Sequence, residues 1–229
     1  SITNESTFHD AAINFWDMLI QHHAYANGSS SGPRPNVTTP TSLTAEHWGV
    51  PDHLSNTMTR EIAESCVSYN TQKLTSTLFT WTQDPRYADA YMNTYYNAVL
   101  PAQNPSNGAV VYHLPLSSPR NKAFLKETDY RCCNASALEA FSSLEHGIYY
   151  HRNDDLWVNL YVPSTAHWTE KNITLEQKGT LPKDSTVEFV VSTKGTANFA
   201  LNLFIPSWAT AAEIYVNGEK EEKNATPLS

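Results

Sequence analysis

The hydrophobic pattern of the chain changes period near residue 154, and this change limits the fold more than any other feature. Before residue 154, apolar residues recur at the three- and four-residue spacing of amphipathic helices. After it, apolar and polar residues alternate, which is typical of strands that bury one face. We therefore predict an α+β fold with two domains: a helical domain over residues 1–153 and a β-sheet domain over residues 154–229.

Four helices are predicted in the first domain. Asp84 is the expected N-cap of the third, because Pro85 follows it and suits the first helical position. Asn27-Gly28 is expected to end the first helix, Leu100-Pro101 to end the third, and Asn134 to cap the fourth. The predicted buried stripes are Phe8, Ala12, Phe15 and Leu19; Val67, Leu74, Leu78 and Trp81; Tyr87, Tyr91 and Tyr95; and Leu138, Phe141, Leu144 and Ile148.

The second domain is predicted to consist of short strands. Asn217-Gly218 predicts a tight hairpin turn, because both residues tolerate a positive φ. The strand after this turn is almost entirely polar and the sequence stops soon afterwards, so we expect a truncated sheet domain. The predicted strands span residues 157–162, 173–175, 187–191, 201–205 and 214–216.

Charge and targeting signals narrow the class of protein. A net charge of −8 argues against nucleic acid as a partner, since no basic stripe could neutralise phosphates. No apolar run approaches the roughly 20 residues that span a bilayer, so no membrane segment is predicted. The number of N-glycosylation sequons favours a secreted, extracellular glycoprotein whose signal peptide lies outside this chain. The sequons begin at Asn4, Asn27, Asn36, Asn134, Asn172 and Asn224.

Three cysteines, Cys66 and the adjacent pair Cys132-Cys133, are the most informative candidates for chemistry. Adjacent cysteines seldom bond to each other, because that geometry is strained. A disulfide between Cys66 and one of the pair, unreactive thiols, and a metal site all remain open from the residues alone. No C-x-x-C or H-E-x-x-H spacing is present to decide among them.

Segments on both sides of these cysteines occur in an order that resembles a known enzyme family. They are NFWD (14–17), EHW (46–48), ESCVSYN (64–70), LFTWT (78–82), YAD (87–89), NAVL (97–100), YHLPL (112–116), CC (132–133) and EAF (139–141). Together they resemble family 127 of glycoside hydrolases, the β-L-arabinofuranosidases, and in particular its secreted plant-type members. The resemblance runs from about residue 8 to residue 206.

The resemblance implies a fold, a cofactor and a set of site residues. The fold would be the C-terminal part of an (α/α)6 barrel followed by an antiparallel β-sandwich, with the N-terminal half of the barrel missing. The resemblance also implies a retaining hydrolase of β-L-arabinofuranosides or related plant-glycan sugars, and we expect the fragment alone to be inactive. Its residues would be Glu64, Cys66, Cys132 and Cys133 as Zn²⁺ ligands, Cys132 as nucleophile, Glu46 as acid/base, and His47 and Trp48 in contact with the carbohydrate substrate.

A non-catalytic alternative stays open. The chain could be a secreted remnant of this fold that binds carbohydrate or protein and keeps its cysteines for structure. Glu46 could then be a solvated loop carboxylate, and Trp48 could pack in a core.

The site prediction also constrains the backbone. Glu64 and Cys66 would point about 200° apart on a regular helix, so we expect irregular backbone at Glu64 and a helix that begins near Cys66. A non-helical turn is likewise expected at Cys132-Cys133, before a helix that follows Asn134.

Overall fold

The computed structural model describes residues 5–32, 46–59, 61–222 and 225–228. The chain forms two compact units, Ser1–Ser142 and Ser143–Ser229, each with its own internal contacts. The first unit is helical and the second consists of β-sheet, so the predicted mixture of helix and sheet is confirmed. The domain boundary that we place at residue 154 remains a prediction.

The helical unit contains α1 (Ser6–His22), α2 (Ser65–Thr82), α3 (Pro85–Thr94) and α4 (Cys132–Ser142). The second helix is central, because it packs against each of the other three. A π-helical turn (Tyr95–Val99) and a 3₁₀ turn (Leu100–Ala102) extend α3, and a further 3₁₀ turn covers Leu54–Thr57. Among the described residues, no helix combines the length and the apolar character needed to cross a bilayer.

The start and the buried face of α3 are as predicted. Asp84 accepts a hydrogen bond of 2.9 Å from the backbone N–H of Arg86, and Pro85 occupies the first helical position. The tyrosines of the predicted stripe, Tyr87, Tyr91 and Tyr95, are all buried.

The predicted buried face of α1 is correct at Leu19 but wrong at Phe8 and Phe15. The helix buries Trp16 and Leu19, whereas Phe8 and Phe15 keep 60% and 37% of their surface exposed. The Trp16 indole donates a 2.8 Å hydrogen bond to Thr75 in α2 and meets the ring of Tyr87 edge-on at 4.6 Å. These distant contacts fix the rotation of α1, which its own spacing could not reveal. The helix also ends before Asn27-Gly28.

The fourth helix begins earlier than predicted. Cys132 and Cys133 lie in its first turn, so the expected non-helical turn there is wrong. Asn134 reaches back instead, accepting a 2.9 Å hydrogen bond from the backbone N–H of Arg131, as the third residue of a capping box does. Leu138 is 73% exposed, and Leu144 and Ile148 lie beyond the helix.

The second unit contains eight described strands in three sheets. The first sheet has the order β1-β2-β6, the second has the order β3-β4-β5, and β7 and β8 form a hairpin. Neighbouring strands are antiparallel, except for β2 and β6, which pair in parallel. The strands are β1 (Tyr149–Arg152), β2 (Asp155–Val158), β3 (Ser164–Trp168), β4 (Ile173–Lys178), β5 (Glu188–Thr193), β6 (Ala200–Leu203), β7 (Tyr215–Val216) and β8 (Glu219–Lys220).

The two larger sheets share a core. Tyr161 lies 6.2 Å from the ring of Phe189 and 5.3 Å from the ring of Phe204, and its hydroxyl donates to the carbonyl of Phe204 at 2.6 Å. The parallel pair arises because the chain leaves β2, builds the whole second sheet, and returns to the first sheet in β6. The predicted hairpin at Asn217-Gly218 is present, with φ of 52° and 86°.

Two side-chain amides are buried in this unit. Gln177 donates to the carbonyls of Leu160 and Val162, and Asn159 donates to the carbonyl of Gly147 at 2.9 Å. These amides link the sheets to backbone outside the strands. A buried carbonyl that is not paired within a sheet needs a hydrogen-bond donor from elsewhere, and the amides supply it.

Candidate metal centre and active site

Short backbone ladders, rather than a regular sheet, position Glu64. The N–H of Ser65 donates to the carbonyl of Tyr112 at 2.9 Å, and Glu64 and His113 form an isolated antiparallel bridge. Ala63 has a left-handed φ of 53°, so the chain turns sharply before Glu64. Glu64 itself has extended backbone and α2 begins at the next residue. The irregular backbone and the helix start that we predicted near Cys66 are therefore present.

A second ladder brings Glu46 to the same side of the unit. Gly32 and His47 exchange two backbone hydrogen bonds of 2.9 Å, and the N–H of Ala63 donates to the carbonyl of Ser31 at 3.0 Å. Glu46 lies at the end of this ladder with a left-handed φ of 62°. A residue other than glycine in this conformation carries strain of about 1–3 kcal/mol, which is common where a functional side chain must be aimed.

Gly28 makes this arrangement possible near the end of α1. Its φ is 79°, and a Cβ atom there would lie 2.4 Å from the hydroxyl oxygen of Thr94. The following serine, Ser29, then accepts a 2.7 Å hydrogen bond from Ser68 in α2. The close approach of this loop to α2 and α3 therefore requires glycine.

The four predicted ligands converge. One carboxylate oxygen of Glu64 and the sulfurs of Cys66, Cys132 and Cys133 all lie within 4.8 Å of one another. The sulfurs of Cys66 and Cys133 are 3.4 Å apart, and those of Cys132 and Cys133 each lie 3.9 Å from Glu64 Oε1. All three cysteines are free, so the structure does not contain the disulfide that the sequence left open.

These distances suit a small tetrahedral ion. With Zn–S bonds of about 2.3 Å, neighbouring ligand atoms of a tetrahedron lie about 3.8 Å apart. Three thiolates and one carboxylate form a donor set that favours Zn²⁺ over harder cations. Glu64 and Cys133 are 5% and 0% exposed, whereas Cys132 is exposed to solvent.

The pKa values of Glu64, Cys66 and Cys133 are shifted because these groups are buried and held close together. Burial, then the neighbouring charges of Glu46 and Cys133, raise the pKa of Glu64 to about 7. A hydrogen bond from the thiol of Cys66 lowers the pKa of Cys133 to about 6, and the same bond together with burial raises the pKa of Cys66. The cluster thus holds protons that a cation would displace.

Tyr112 links this cluster to Glu46. Its hydroxyl donates to Glu46 Oε1, and the Cys132 thiol points to that hydroxyl at 3.6 Å. Burial, together with the hydrogen bonds to Glu46 and Cys132, raises the pKa of Tyr112, so the phenol stays protonated. We did not predict Tyr112 as a site residue, although it begins the YHLPL segment that precedes the double cysteine in sequence.

The two predicted sugar-binding residues, His47 and Trp48, follow Glu46 in the sequence and line the same small cavity. Trp48 is 42% exposed, and its indole donates to the hydroxyl of Ser30 at 3.1 Å. His47 lines a small cavity with Trp48, His23 and His53. On the Tyr112 side, a groove of about 640 Å³ is lined by residues that include His113, Phe124 and Arg131. Burial lowers the pKa of His113 to about 4, so this histidine is neutral.

Solved structures with this fold include the following three. A GH127 β-L-arabinofuranosidase from Geobacillus stearothermophilus T6 matches with a TM-score of 0.74 and 23% identity over 90% of this chain and 33% of that chain. A GH127 β-arabinofuranosidase matches with a TM-score of 0.83 and 23% identity over 99% and 37%. A chain described as a glycoside hydrolase matches with a TM-score of 0.71 and 20% identity over 93% and 38%. The sequence thus spans about a third of each.

No curated protein matches the sequence. Two family profiles do, and they cover most of it. Residues 1–146 match the β-L-arabinofuranosidase GH127 catalytic domain, and residues 155–227 match the GH127 middle domain. The fold is that of this family, a helical barrel followed by a β-sandwich, of which this chain holds a part. The chain belongs to the GH127 family of β-L-arabinofuranosidases.

Proposed function

We propose that this chain supplies the nucleophile, the acid/base and the metal ligands of a retaining glycoside hydrolase that acts on β-L-arabinofuranosides or related plant-glycan sugars. One observation carries the proposal: Tyr112 joins Glu46 to an exposed thiol, Cys132, at the edge of a buried Glu–Cys cluster. A thiol and a carboxylic acid held by one hydroxyl are the two groups that a retaining mechanism needs.

The metal in this proposal is Zn²⁺, held by Glu64, Cys66, Cys132 and Cys133. When bound, zinc would keep the thiols deprotonated at neutral pH and stabilise the folded cluster. Ser136 supports this arrangement by donating a 3.2 Å hydrogen bond to the sulfur of Cys66. Groups around the ligands that orient them in this way commonly tune affinity.

In the first step, the Cys132 thiolate attacks the anomeric carbon of the sugar and a C–S bond forms. Glu46 gives its proton to the glycosidic oxygen as the C–O bond to the leaving group breaks. In the second step, Glu46 takes a proton from water, whose oxygen displaces the sulfur at the same carbon. The sugar keeps its anomeric configuration because the carbon is inverted twice. Tyr112 orients Glu46 and Cys132 with respect to each other.

The alternative is a non-catalytic binding protein that keeps the same cluster for stability. In that case, substitutions of Glu46 and Cys132 would leave sugar binding unaffected and produce no covalent species. Among the residues that the structure describes, no contact favours this alternative over catalysis.

The test uses a full-length version of the protein with an aryl β-L-arabinofuranoside, followed by intact-mass measurement. Cys132→Ser should form no glycosyl-enzyme, because a serine hydroxyl is far less ionised than a thiol. Glu46→Gln should still react with a good leaving group and then accumulate the adduct, because no base activates water. Azide, which needs no base, should restore turnover.

Glu139→Gln is the matched control for Glu46→Gln. Glu139 is an exposed carboxylate in α4 that pairs with Lys73 at 3.4 Å, so its loss should leave turnover unchanged. An adduct on the Cys132→Ser protein, or full turnover of a poor leaving group by Glu46→Gln, would show that the roles are wrongly assigned.

Secretion is part of the same proposal. It rests on the number of sequons in the sequence, and export of the protein into the medium of a eukaryotic host would test it.

A further inference from the structure

Three of the six sequon asparagines, Asn27, Asn134 and Asn172, lie in the described part of the chain, and the fold treats them differently. Asn4, Asn36 and Asn224 lie outside the described residues. An N-linked glycan is attached to the side-chain nitrogen of asparagine and must project into solvent. The surroundings of that nitrogen therefore distinguish a usable sequon from a chance one.

The residues of the sequon at Asn27 are buried and form hydrogen bonds that hold the loop after α1. Asn27 is 6% exposed, and its side-chain oxygen accepts a 3.1 Å hydrogen bond from the N–H of Ser29. Its side-chain nitrogen, which would carry the sugar, is buried. The serine of the sequon, Ser29, accepts a hydrogen bond from Ser68 in α2. A glycan at this position is incompatible with the packed loop.

The sequon at Asn134 serves the metal cluster and the helix that presents it. Asn134 follows Cys133 directly and is half-buried, and its side-chain oxygen accepts the hydrogen bond from Arg131 that starts α4. The hydroxyl of Ser136 donates to the sulfur of Cys66. Both sequon residues therefore have local roles, and a glycan there would crowd the exposed thiol of Cys132.

The side chain of Asn172 has neither restriction. The hydroxyl of its sequon residue Thr174 forms a solvent-exposed hydrogen bond of 3.2 Å with His167, which involves neither a packed loop nor the metal cluster. Asn172 is exposed and ends the 3₁₀ turn Thr169–Lys171 with a left-handed φ of 53°. Only its backbone takes part in the turn, where its N–H donates to the carbonyl of Thr169 at 3.2 Å. An open groove of about 430 Å³, lined by residues that include Trp168, Thr174 and Lys194, adjoins it and leaves room for a sugar.

We propose that Asn172 carries an N-linked glycan, and that Asn27 and Asn134 do not. This inference rests on the proposed secretion, because the modification requires passage through a eukaryotic secretory pathway. The donor is a lipid-linked oligosaccharide pyrophosphate. The Asn172 amide nitrogen loses a proton and forms a C–N bond to the anomeric carbon. The C–O bond to the pyrophosphate breaks, and the pyrophosphate leaves with its electron pair.

The experiment is glycopeptide mapping of the full-length protein secreted from a eukaryotic host. Enzymatic release of the glycans in ¹⁸O-water converts each occupied asparagine to labelled aspartate. We expect the label at Asn172 and none at Asn27 or Asn134. Asn172→Asp, which keeps a residue that tolerates a left-handed φ, should lose one glycan from the intact mass.

A matched pair at Thr174 separates glycosylation from folding. Thr174→Ser keeps the sequon hydroxyl and should keep the glycan. Thr174→Val has nearly the same shape but lacks the hydroxyl, so it should lose the glycan while Asn172 stays in place. Unlabelled Asn172 in the secreted protein, label at Asn27 or Asn134, or a glycan on Thr174→Val would each overturn the proposal. Glycan occupancy is measured without any assay of the protein's own glycosidase activity, so failure of this inference is distinct from failure of the proposed glycosidase activity.

Discussion

Both units of the molecule bury polar side chains deeply, but the buried side chains of the two units differ in their hydrogen-bond partners. In the β unit, Gln177 and Asn159 are 1% and 0% exposed, and their amide groups donate to backbone carbonyls. In the helical unit, Glu64 and Cys133 are buried just as deeply, yet their acceptor atoms face one another. Burial of a polar side chain alone therefore does not indicate a functional site. Buried hydrogen-bond acceptors that face each other do indicate one, because such a group of acceptors must hold protons or a cation.

The first prediction tests whether the helical cluster requires a cation. Cys133→Ser should reduce bound zinc from one equivalent to none, because a neutral serine hydroxyl is a poor zinc ligand. Loss of the metal should lower kcat/KM on the order of 10³-fold or more, since metal catalysis is worth several kcal/mol. Elemental analysis and kinetics of the full-length protein would measure both. If the variant kept its zinc, Cys133 would belong with the structural residues instead.

Removal of the Tyr112 hydroxyl should have a smaller effect. Tyr112→Phe should leave the zinc content unchanged but lower kcat/KM by about 10–100-fold, because Glu46 and Cys132 lose the group that orients them. Tyr130→Phe is the control, because Tyr130 is 87% exposed and no role is assigned to it. Equal activity of both variants would refute the link.

A substitution in the β unit should change the free energy of unfolding rather than the zinc content. Gln177→Leu removes one of two hydrogen bonds to each of the carbonyls of Leu160 and Val162, and the two lost bonds should cost about 1–3 kcal/mol in the free energy of unfolding. Zinc content should not change. Urea denaturation would measure the cost, with Glu176→Gln on the exposed side of β4 as control. A loss of zinc with Gln177→Leu would contradict the division of roles between the two units.

The smallest expected effect is a pH dependence in excess chelator. The metal-free fold raises the pKa of Glu64 from 4.5 to about 7, so between these values the folded chain holds a proton that the unfolded chain releases. The contribution of Glu64 to the free energy of unfolding should therefore decrease as pH rises from 4.5 through 7, whereas Cys133, whose pKa is lowered to about 6, contributes with the opposite sign above pH 6. Glu64→Gln should remove this contribution. An unchanged slope in the variant would assign the pH dependence to other groups.

Local signals in the sequence predicted local structure well. Asp84-Pro85 predicted the start of α3 because capping needs only neighbouring residues. The burial of Trp16 in α1 could not be predicted, because Trp16 contacts Thr75 across 59 positions of sequence. Strand β3, with the sequence STAHW, lacks an apolar alternation and owes its pairing to β4 and its register.

The candidate site shows the same limit. Its four ligands were predicted from the resemblance, and the structure brings them together, although their roles remain proposals. Tyr112 was not predicted because its function depends on what it joins. Its spacing to Cys132 carries no signal until the ladder places it between Cys132 and Glu46.

The ladders that build this site also bear on the order in which the unit folds. Isolated bridges join Gly32 to His47 and Glu64 to His113, and one backbone hydrogen bond joins Ala63 to Ser31, so these described residues form no continuous strand. Each of these connections closes a long loop but contributes few stabilising contacts. None of them should therefore form early in folding or remain formed on its own. We therefore expect the helices to associate first and the thiols to meet only in the last stage of folding. Capture of the metal would then report that the whole helical unit has folded.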